Sequence, residues 1–569
     1  MNQKILQKEK TKLQITCPVI LLVVSLLWSG GYYEYSSAIL GAVAAVMLWV
    51  GIRKNRKELS CENYLVFAAC LTLFYFLSCL YATDSGMAFT GAVKKSVILL
   101  FAFVISTLTV EQRRQILHKL PEMAVLTVIV GAVGAIVPFF RCYVISAGRF
   151  CGTFGYANTY ALFLVLALLV LLETYGERNG WKKFIIGGIL LIALWFTGSR
   201  YTWLLAGFIL VIYAIRQKRS REIALCALAL LGVATVAAAT VFRDSEAMGR
   251  LFSTNLSTFY GRILYWQDAW KLVVKHFFGM GYLGYFYEQT GIQTGVYTVR
   301  YVHSDLLQWI LDIGWLPVVF LLIILGFALY NKKRPFGQKI LLLTLLLHSC
   351  MEFDFEHTAV AFLWILILSC TEEKMISLGK KKKQNGELPQ WVGKAAAVIL
   401  GCIGFYMAVP LSMYAMGKME KAVSWYPAYT DASLALLSVQ ENPEEAEKIA
   451  DRILKQNDTA SLAYDAKAQV AFQNGEFEDM MFYKKQAIER NKYDANEYMD
   501  YLTMLNEVLL YSQEQSDGEW QAKIIKEMEQ LLTQIEKNEA TVSNLGKKID
   551  DRVEIALPED IVEQIKNLR

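Results

Sequence analysis

Apolar runs of membrane-crossing length alternate with short polar breaks through most of the first 415 residues. A helix needs about 20 apolar residues to cross a bilayer. Runs reaching or approaching that length lie near 15–30, 36–52, 63–82, 91–109, 122–140, 156–174, 183–198, 201–215, 223–242, 305–329, 338–350, 356–371 and 394–415. The pattern predicts an all-α polytopic membrane protein with 12–13 transmembrane helices. The breaks alternate in chemistry. With the N-terminus in the cytoplasm, every second loop should be basic. RKNRKE (53–58), EQRRQILHK (111–119), ERNGWKK (177–183), RQKRSRE (216–222), NKKRPFGQK (331–339) and EEKMISLGKKKK (372–383) all fit. The intervening loops, such as GGYYEYSS and ATDSGMAFT, are nearly free of Lys and Arg.

Charge divides the chain further. The formal net charge of +5 over 569 residues hides a balance of +17 before residue 418 and −12 from it onward. A basic membrane body joined to an acidic soluble tail is expected. The expected division is a cytoplasmic N-terminus (1–14), a membrane body (15–375), a basic cytoplasmic linker (376–393), a last span (394–415) and an extracytoplasmic helical tail (420–569). The opening MNQKILQKEKTKLQ resembles a signal peptide, but no small-residue cleavage site follows, so it reads as the lead-in to a first anchor. The ten cysteines lie mostly inside apolar runs without metal-ligand spacing. Cys142 and Cys151 share one loop, and spacing leaves their pairing open.

The outward segment 243–303 breaks the charge rule. It carries Arg243, Arg250, Arg262, Lys271, Lys275 and Arg300, and Arg141, Arg149 and Arg200 are expected on the same face. Solvated loop charge or headgroup contact would account for them. So would a site for an anionic ligand, since the planar arginine fork holds phosphate oxygens in pairs. Inside the segment, RILYWQDAWKLVVKHFF (262–278) repeats Ile263, Trp266, Trp270, Val273 and Phe277 at helical spacing, with Asp268, Lys271 and Lys275 off that stripe. An interfacial helix is expected. GMGYLG (279–284) matches G-x-G-x-x-G but lacks the strand and βαβ setting of a nucleotide fingerprint. Its glycines suit a tight return of the chain toward the membrane.

Arg200, Arg262 and His303 stand at the ends of apolar runs, where a charged side chain is costly and a functional role is the default. Interfacial hydrogen bonding alone would also place a histidine there. In LLHSCMEFDFEH (346–357), Glu352, Asp354, Glu356 and His357 superficially resemble ligands for a hard cation. A turn of solvated carboxylates is the expected form, with Asp354 the member to pair with a site arginine. In the tail, PEEAEKIADRILKQN (443–457) and FEDMMFYKKQAIERN (477–491) align at an offset of 34 residues, the tetratricopeptide length. A short tetratricopeptide-like array is expected, serving as a cap or as a dock for a partner.

The succession TFGYANTYALFL (153–164), LWFTGSRYTW (194–203), GRILYWQDAW with GMGYLGYF (261–286), VHSDLLQWILDIGWLP (302–317) and LLHSCMEFDF (346–355) resembles the O-antigen ligase and polymerase family over roughly residues 15–375. The resemblance implies a GT-C-type glycosyltransferase body that uses undecaprenyl-diphosphate-linked glycans at the outer face of the bacterial cytoplasmic membrane. The family's functional trio carries over to Arg200, Arg262 and His303, and metal independence is implied, with no cofactor. Arg300, Arg250, Asn158 and Asp354 are the expected substrate-binding residues. One departure is Ser304–Asp305, where many relatives have a small polar residue or Asn followed by an apolar one.

The implied chemistry suits these residue types. Breaking an anomeric carbon–phosphate bond gathers negative charge on the leaving diphosphate, which fixed cations in a water-poor cavity stabilise. A histidine would either take the acceptor proton or hold the phosphate. Expected partners are the lipid-linked glycan, membrane lipids, a glycan or envelope acceptor and a protein docked on the repeats, with no nucleic acid. The alternatives are a lipid-linked glycan transporter or flippase, which would show broken helices in two repeated halves, and a non-catalytic envelope scaffold built on the repeats.

Overall fold

A chain in lipid must satisfy its backbone polar groups internally, and helices do so within one segment. The computed structural model, which describes residues 2–54, 59–60, 62–174, 180–216, 232, 257–372, 387–549, 562–563 and 565, is accordingly helical. The body runs α1 (Asn2–Leu27), α2 (Glu34–Lys54), α3 (Asn63–Ser78), α4 (Ser85–Ser106), α5 (Val110–Leu117), α6 (Leu120–Ile136), α7 (Pro138–Val144), α8 (Ala157–Glu173), α9 (Gly180–Phe196) and α10 (Arg200–Arg216). It continues through α11 (Ser257–Lys275), α12 (Gly284–Ile292), α13 (Asp305–Ile313), α14 (Trp315–Tyr330), α15 (Phe336–Ser349), α16 (Thr358–Ser369) and α17 (Gln390–Ala415). Two antiparallel two-residue ladders complete it, Leu59–Ser60 with Glu387–Leu388 and Ile145–Ser146 with Arg149–Phe150. The expected span 223–242, Arg243 and Arg250 lie outside the described residues, as does linker 376–386.

Among the described residues, Glu34–Ile52, Ser85–Ser106, Val110–Ile136 and Gln390–Ala415 are long and apolar enough to cross a membrane. Six further apolar helices are shorter, from 10 to 17 residues. This is a helical membrane protein. Its centre is α16, buried on every side, because a helix apolar all round needs neighbours all round. Phe362 of α16 stacks on Phe101 of α4 with centroids 4.0 Å apart. The last body helix, α17, lies along α2 through small residues: a Cβ on Gly401 would stand 2.6 Å from Ala45, and one on Gly404 3.2 Å from the Ala38 carbonyl.

Basic residues finish one end of the bundle. Arg113 binds Glu62 and the Ile105 and Ser369 carbonyls, and Arg334 binds the Ala328, Ile367 and Leu368 carbonyls. These cations satisfy helix C-termini, which carry partial negative charge. The opposite end holds Asp84, the loop after α11 and the 350–357 turn.

The expected single span 305–329 is two helices. Gly314 takes φ +83°, and a Cβ there would stand 2.6 Å from the Phe278 carbonyl carbon. The α13 stretch is no lipid-facing segment, since Asp305, Gln308 and Asp312 are all buried inside it. The GMGYLG loop docks here, with Met280 N donating to the Leu311 carbonyl and Gly281 N to that of Asp312. Its chain return is as expected, though its partner is α13 backbone. Cys142 and Cys151 are unbonded.

The tail comprises α18 (Met419–Trp425), α19 (Thr430–Leu437), α20 (Pro443–Gln456), α21 (Ser461–Gln473), α22 (Phe477–Arg490), α23 (Ala495–Glu514) and α24 (Gly518–Ala540), each packed on its successor. It seats on the body. Asp84, which caps α4 through Met87 N, also accepts from Gln456 and Asn457. Lys492 Nζ and Tyr493 OH donate to the Gln293 carbonyl, and Ser543 N donates to that of Thr294.

Candidate active site

The 350–357 turn joins α15 to α16 and is not solvated. Glu352, Asp354 and Glu356 are buried, and each faces different partners. A buried carboxylate is costly unless it is paired and hydrogen-bonded. Glu352 meets that demand fully. Its Oε1 accepts from Arg262 Nη2 and, at 2.5 Å, from Asn158 Nδ2. Its Oε2 accepts from Tyr156 OH at 2.8 Å and lies 3.4 Å from His303 Nδ1. Burial alone would push the Glu352 carboxyl up. The Arg262 charge, followed by the His303 hydrogen bond and charge, outweighs that and holds it down at about 2.

His303 is held from both sides of its peptide. The preceding Val302 receives Trp266 Nε1 on its carbonyl at 3.0 Å and gives its N–H to Gln308 Oε1 at 3.0 Å. These clamps fix a left-handed backbone at His303, φ +54°, which a non-glycine residue adopts only when its surroundings impose it. The imidazole packs edge-on against Phe353 at 5.0 Å. Asp305 secures the same corner, since its N–H donates to the Glu352 carbonyl and its carboxylate accepts from Phe355 N. The departure at Ser304–Asp305 therefore has a structural task here.

Arg262 comes from α11, whose buried face differs from the expected stripe. Gly261, Arg262, Leu264, Asp268, Ala269, Leu272 and Val273 are buried, while Trp270 and Phe277 are exposed. The face turned inward is thus partly polar, because it meets the site. Asp268, expected off the stripe, accepts from Thr294 N and Oγ1 and from Tyr297 OH, fastening the strap that leads to His303. Arg262 Nε is buried without a hydrogen-bond partner among the described residues, a donor to spare for a ligand.

The other expected residues fall in three places. Asn158 joins Glu352, and Arg149 Nη2 holds Asn158 Oδ1 at 2.5 Å while its Nε donates to the Thr197 carbonyl. Arg200 opens α10 beside this cluster; its neighbour Tyr201 donates to the Leu347 carbonyl, and Thr202 Oγ1 lies 2.9 Å from His348 Nε2. Asp354 does not take the arginine expected of it. It accepts from Thr159 Oγ1 at 2.8 Å and lies 2.6 Å from His348 Nδ1, so the arginine pairing belongs to Glu352 two residues earlier. Arg300 stands elsewhere, with Nη2 3.2 Å from Glu34 Oε1 and 3.0 Å from Asp431 Oδ2 of the tail.

Glu352, Tyr156, Lys94 and Lys95 were not singled out from sequence as site residues. The two lysines are buried in α4 and clasp Glu356 at 2.9 and 2.7 Å. The KK pair inside the apolar run TGAVKKSVILL is the signal that could have found them. Lys94 also donates to Tyr282 OH, which donates in turn to Glu34.

The arrangement offers a fixed cation with an unused donor beside a histidine whose Nδ1 faces a carboxylate. Among the described residues, His303 Nε2 has no hydrogen-bond partner. Such a pair can hold an anion and accept a proton next to it. Residues 185–323 match the family model described as O-antigen ligase, a stretch that contains Arg200, Arg262 and His303 and ends before Glu352. No curated protein matches the chain.

Proposed function

We propose, from the match of residues 185–323 to the O-antigen ligase family model, that this chain transfers a glycan from a polyprenyl-diphosphate carrier to a hydroxyl of a glycan or envelope acceptor. The reaction is placed at the outer face of the cytoplasmic membrane, with undecaprenyl as the carrier's lipid and no metal or cofactor. The observation that carries this reading is the single carboxylate, Glu352, that Arg262 and His303 share.

The steps follow from that geometry. Arg262, with Arg200 from α10, holds the diphosphate. His303 takes the acceptor hydroxyl proton on Nε2 while Glu352 orients the ring through Nδ1. The acceptor oxygen bonds to the anomeric carbon as the bond to the phosphate oxygen breaks, and the diphosphate leaves with the electron pair. The base role of His303 is favoured over simple phosphate holding because Nδ1 is turned to Glu352 and Nε2 is left for the acceptor.

For the tail we propose a tetratricopeptide-like stack, since α20 and α22 begin 34 residues apart. Its outward surface would dock a partner. The test of the transferase reading is glycan transfer by purified protein supplied with a lipid-diphosphate glycan and an acceptor. Alanine at Arg200, Arg262 or His303 should each abolish product. Full transfer by all three variants would sink the assignment.

A further inference from the structure

A cavity of about 1040 Å³ lies beside the candidate active site and is not used by it. That is the upper end of the range for pockets that take a ligand of several rings, ~300–1,000 Å³. Its walls come from helix ends: Trp28 just past α1, Glu34 at the start of α2, Val137 and Tyr143 at α6 and α7, and Ala415 at the end of α17. The cavity therefore sits among the ends of these helices, with Val130 and Val133 of α6 on its apolar wall.

Its chemistry is aromatic with a charged end. Tyr33 and Tyr35 stack at 5.6 Å, and Tyr414 and Tyr429 meet edge-on at 5.1 Å. Rings with hydroxyl tips give an apolar face and a polar rim at once. The charged end is Arg300 paired with Glu34 and Asp431. Its carboxylate oxygens have lone pairs for further donors, which a bare hydrocarbon chain would leave unused. A sugar chain fits both parts, with C–H faces against the rings and hydroxyl donors toward the carboxylates.

One wall of the cavity packs against the candidate active site. Tyr32 lines it and lies 6.4 Å from Phe353, the ring against which His303 packs. We propose that this cavity is a glycan subsite that seats a segment of several sugars behind the residue undergoing transfer. The tail completes it, since Tyr429 and Asp431 lie beyond the last body helix. The proposal rests on the transferase reading only in taking glycan to be present at this face.

Photo-crosslinking in cells that assemble their own surface polysaccharide tests it. Benzoylphenylalanine is placed in the full chain at Tyr33 or at Phe140, both half-exposed on the cavity wall. The subsite predicts sugar-bearing adducts at both positions, by periodate staining and mass. A polyprenyl group on the adduct identifies the donor's glycan, and its absence identifies the acceptor's. Asp431→Ala should cut the yield about tenfold, the worth of a hydrogen bond to a charged group. Tyr143→Ala, on the wall away from the tail, should lower it as well. Adducts with lipid alone, no adducts, or sugar adducts indifferent to both substitutions would overturn the subsite. Persistence of the adduct in His303→Ala supports a binding site separate from the chemistry. Retained glycan transfer in His303→Ala would count against the catalytic assignment alone.

Discussion

Glu352 binds Arg262 through one carboxylate oxygen and leaves the other 3.4 Å from His303, so a guanidinium and an imidazole are set by one side chain. The arginine, on the α11 helix, and the histidine, just before α13, are 41 positions apart in sequence. Their relative position depends on a residue from a third segment.

Replacing Glu352 by Gln should therefore impair catalysis directly, beyond its effect on folding. The amide keeps the volume and some hydrogen bonds but loses the hold on the imidazole and on the guanidinium. Transfer should fall ~100-fold or more, the usual worth of a positioned acid–base group. Glu352→Ala should in addition destabilise the protein by about 3–5 kcal/mol, because it strands the buried Arg262 charge. Turnover measured beside thermal unfolding separates the two effects.

The same carboxylate sets an acid limit. Its folded value, about 2, lies below the usual 4.5. A depressed acid contributes stability that is complete above the unfolded value and is lost as pH falls through the folded one. Stability should thus decline between about 4.5 and about 2, by ~3 kcal/mol from this group. Glu352→Gln should flatten that part of a pH-dependent unfolding series. A wild-type curve no steeper than that of the variant would contradict the pairing.

Asp268 acts at a distance from the reacting groups. Its carboxylate collects Thr294 and Tyr297 at the start of the strap to His303. Asp268→Ala should cost about 1–3 kcal/mol through the donors it abandons. Amide exchange should quicken over 294–303, and turnover should drop while Arg262 stays in place. Unchanged exchange in that strap would remove its positioning role.

Much of the helical plan was legible because apolar runs and charged breaks are long-range patterns. What failed was local. Gly314 is one residue within a continuous apolar stretch, and its left-handed backbone divides what composition joins. Asp354 and Glu352 are two apart in a turn whose successive carboxylates meet different helices, so spacing does not say which one meets an arginine. His348, near the end of α15, claims Asp354 first. On α11 the apolar spacing predicts a helix, but its inward face is set by the polar site it covers, which draws in Arg262 and Asp268 and leaves Trp270 exposed. Arg200, Arg262 and His303 are legible as charge at the margins of apolar runs. The carboxylate between two of them reads from sequence as a solvated one, because its burial depends on helices distant in the chain.

The tail's grip on Gln293 and Thr294 also has a bearing on time. Ribosomes make the body first, and the segments that steady the strap, around Lys492 and Ser543, follow it. A chain stopped after Gly417 should insert its helices yet leave 287–300 open to protease, a difference that limited proteolysis of membranes would read. Maturation of the His303 corner then waits on the tail, and a chain without it is an idle one.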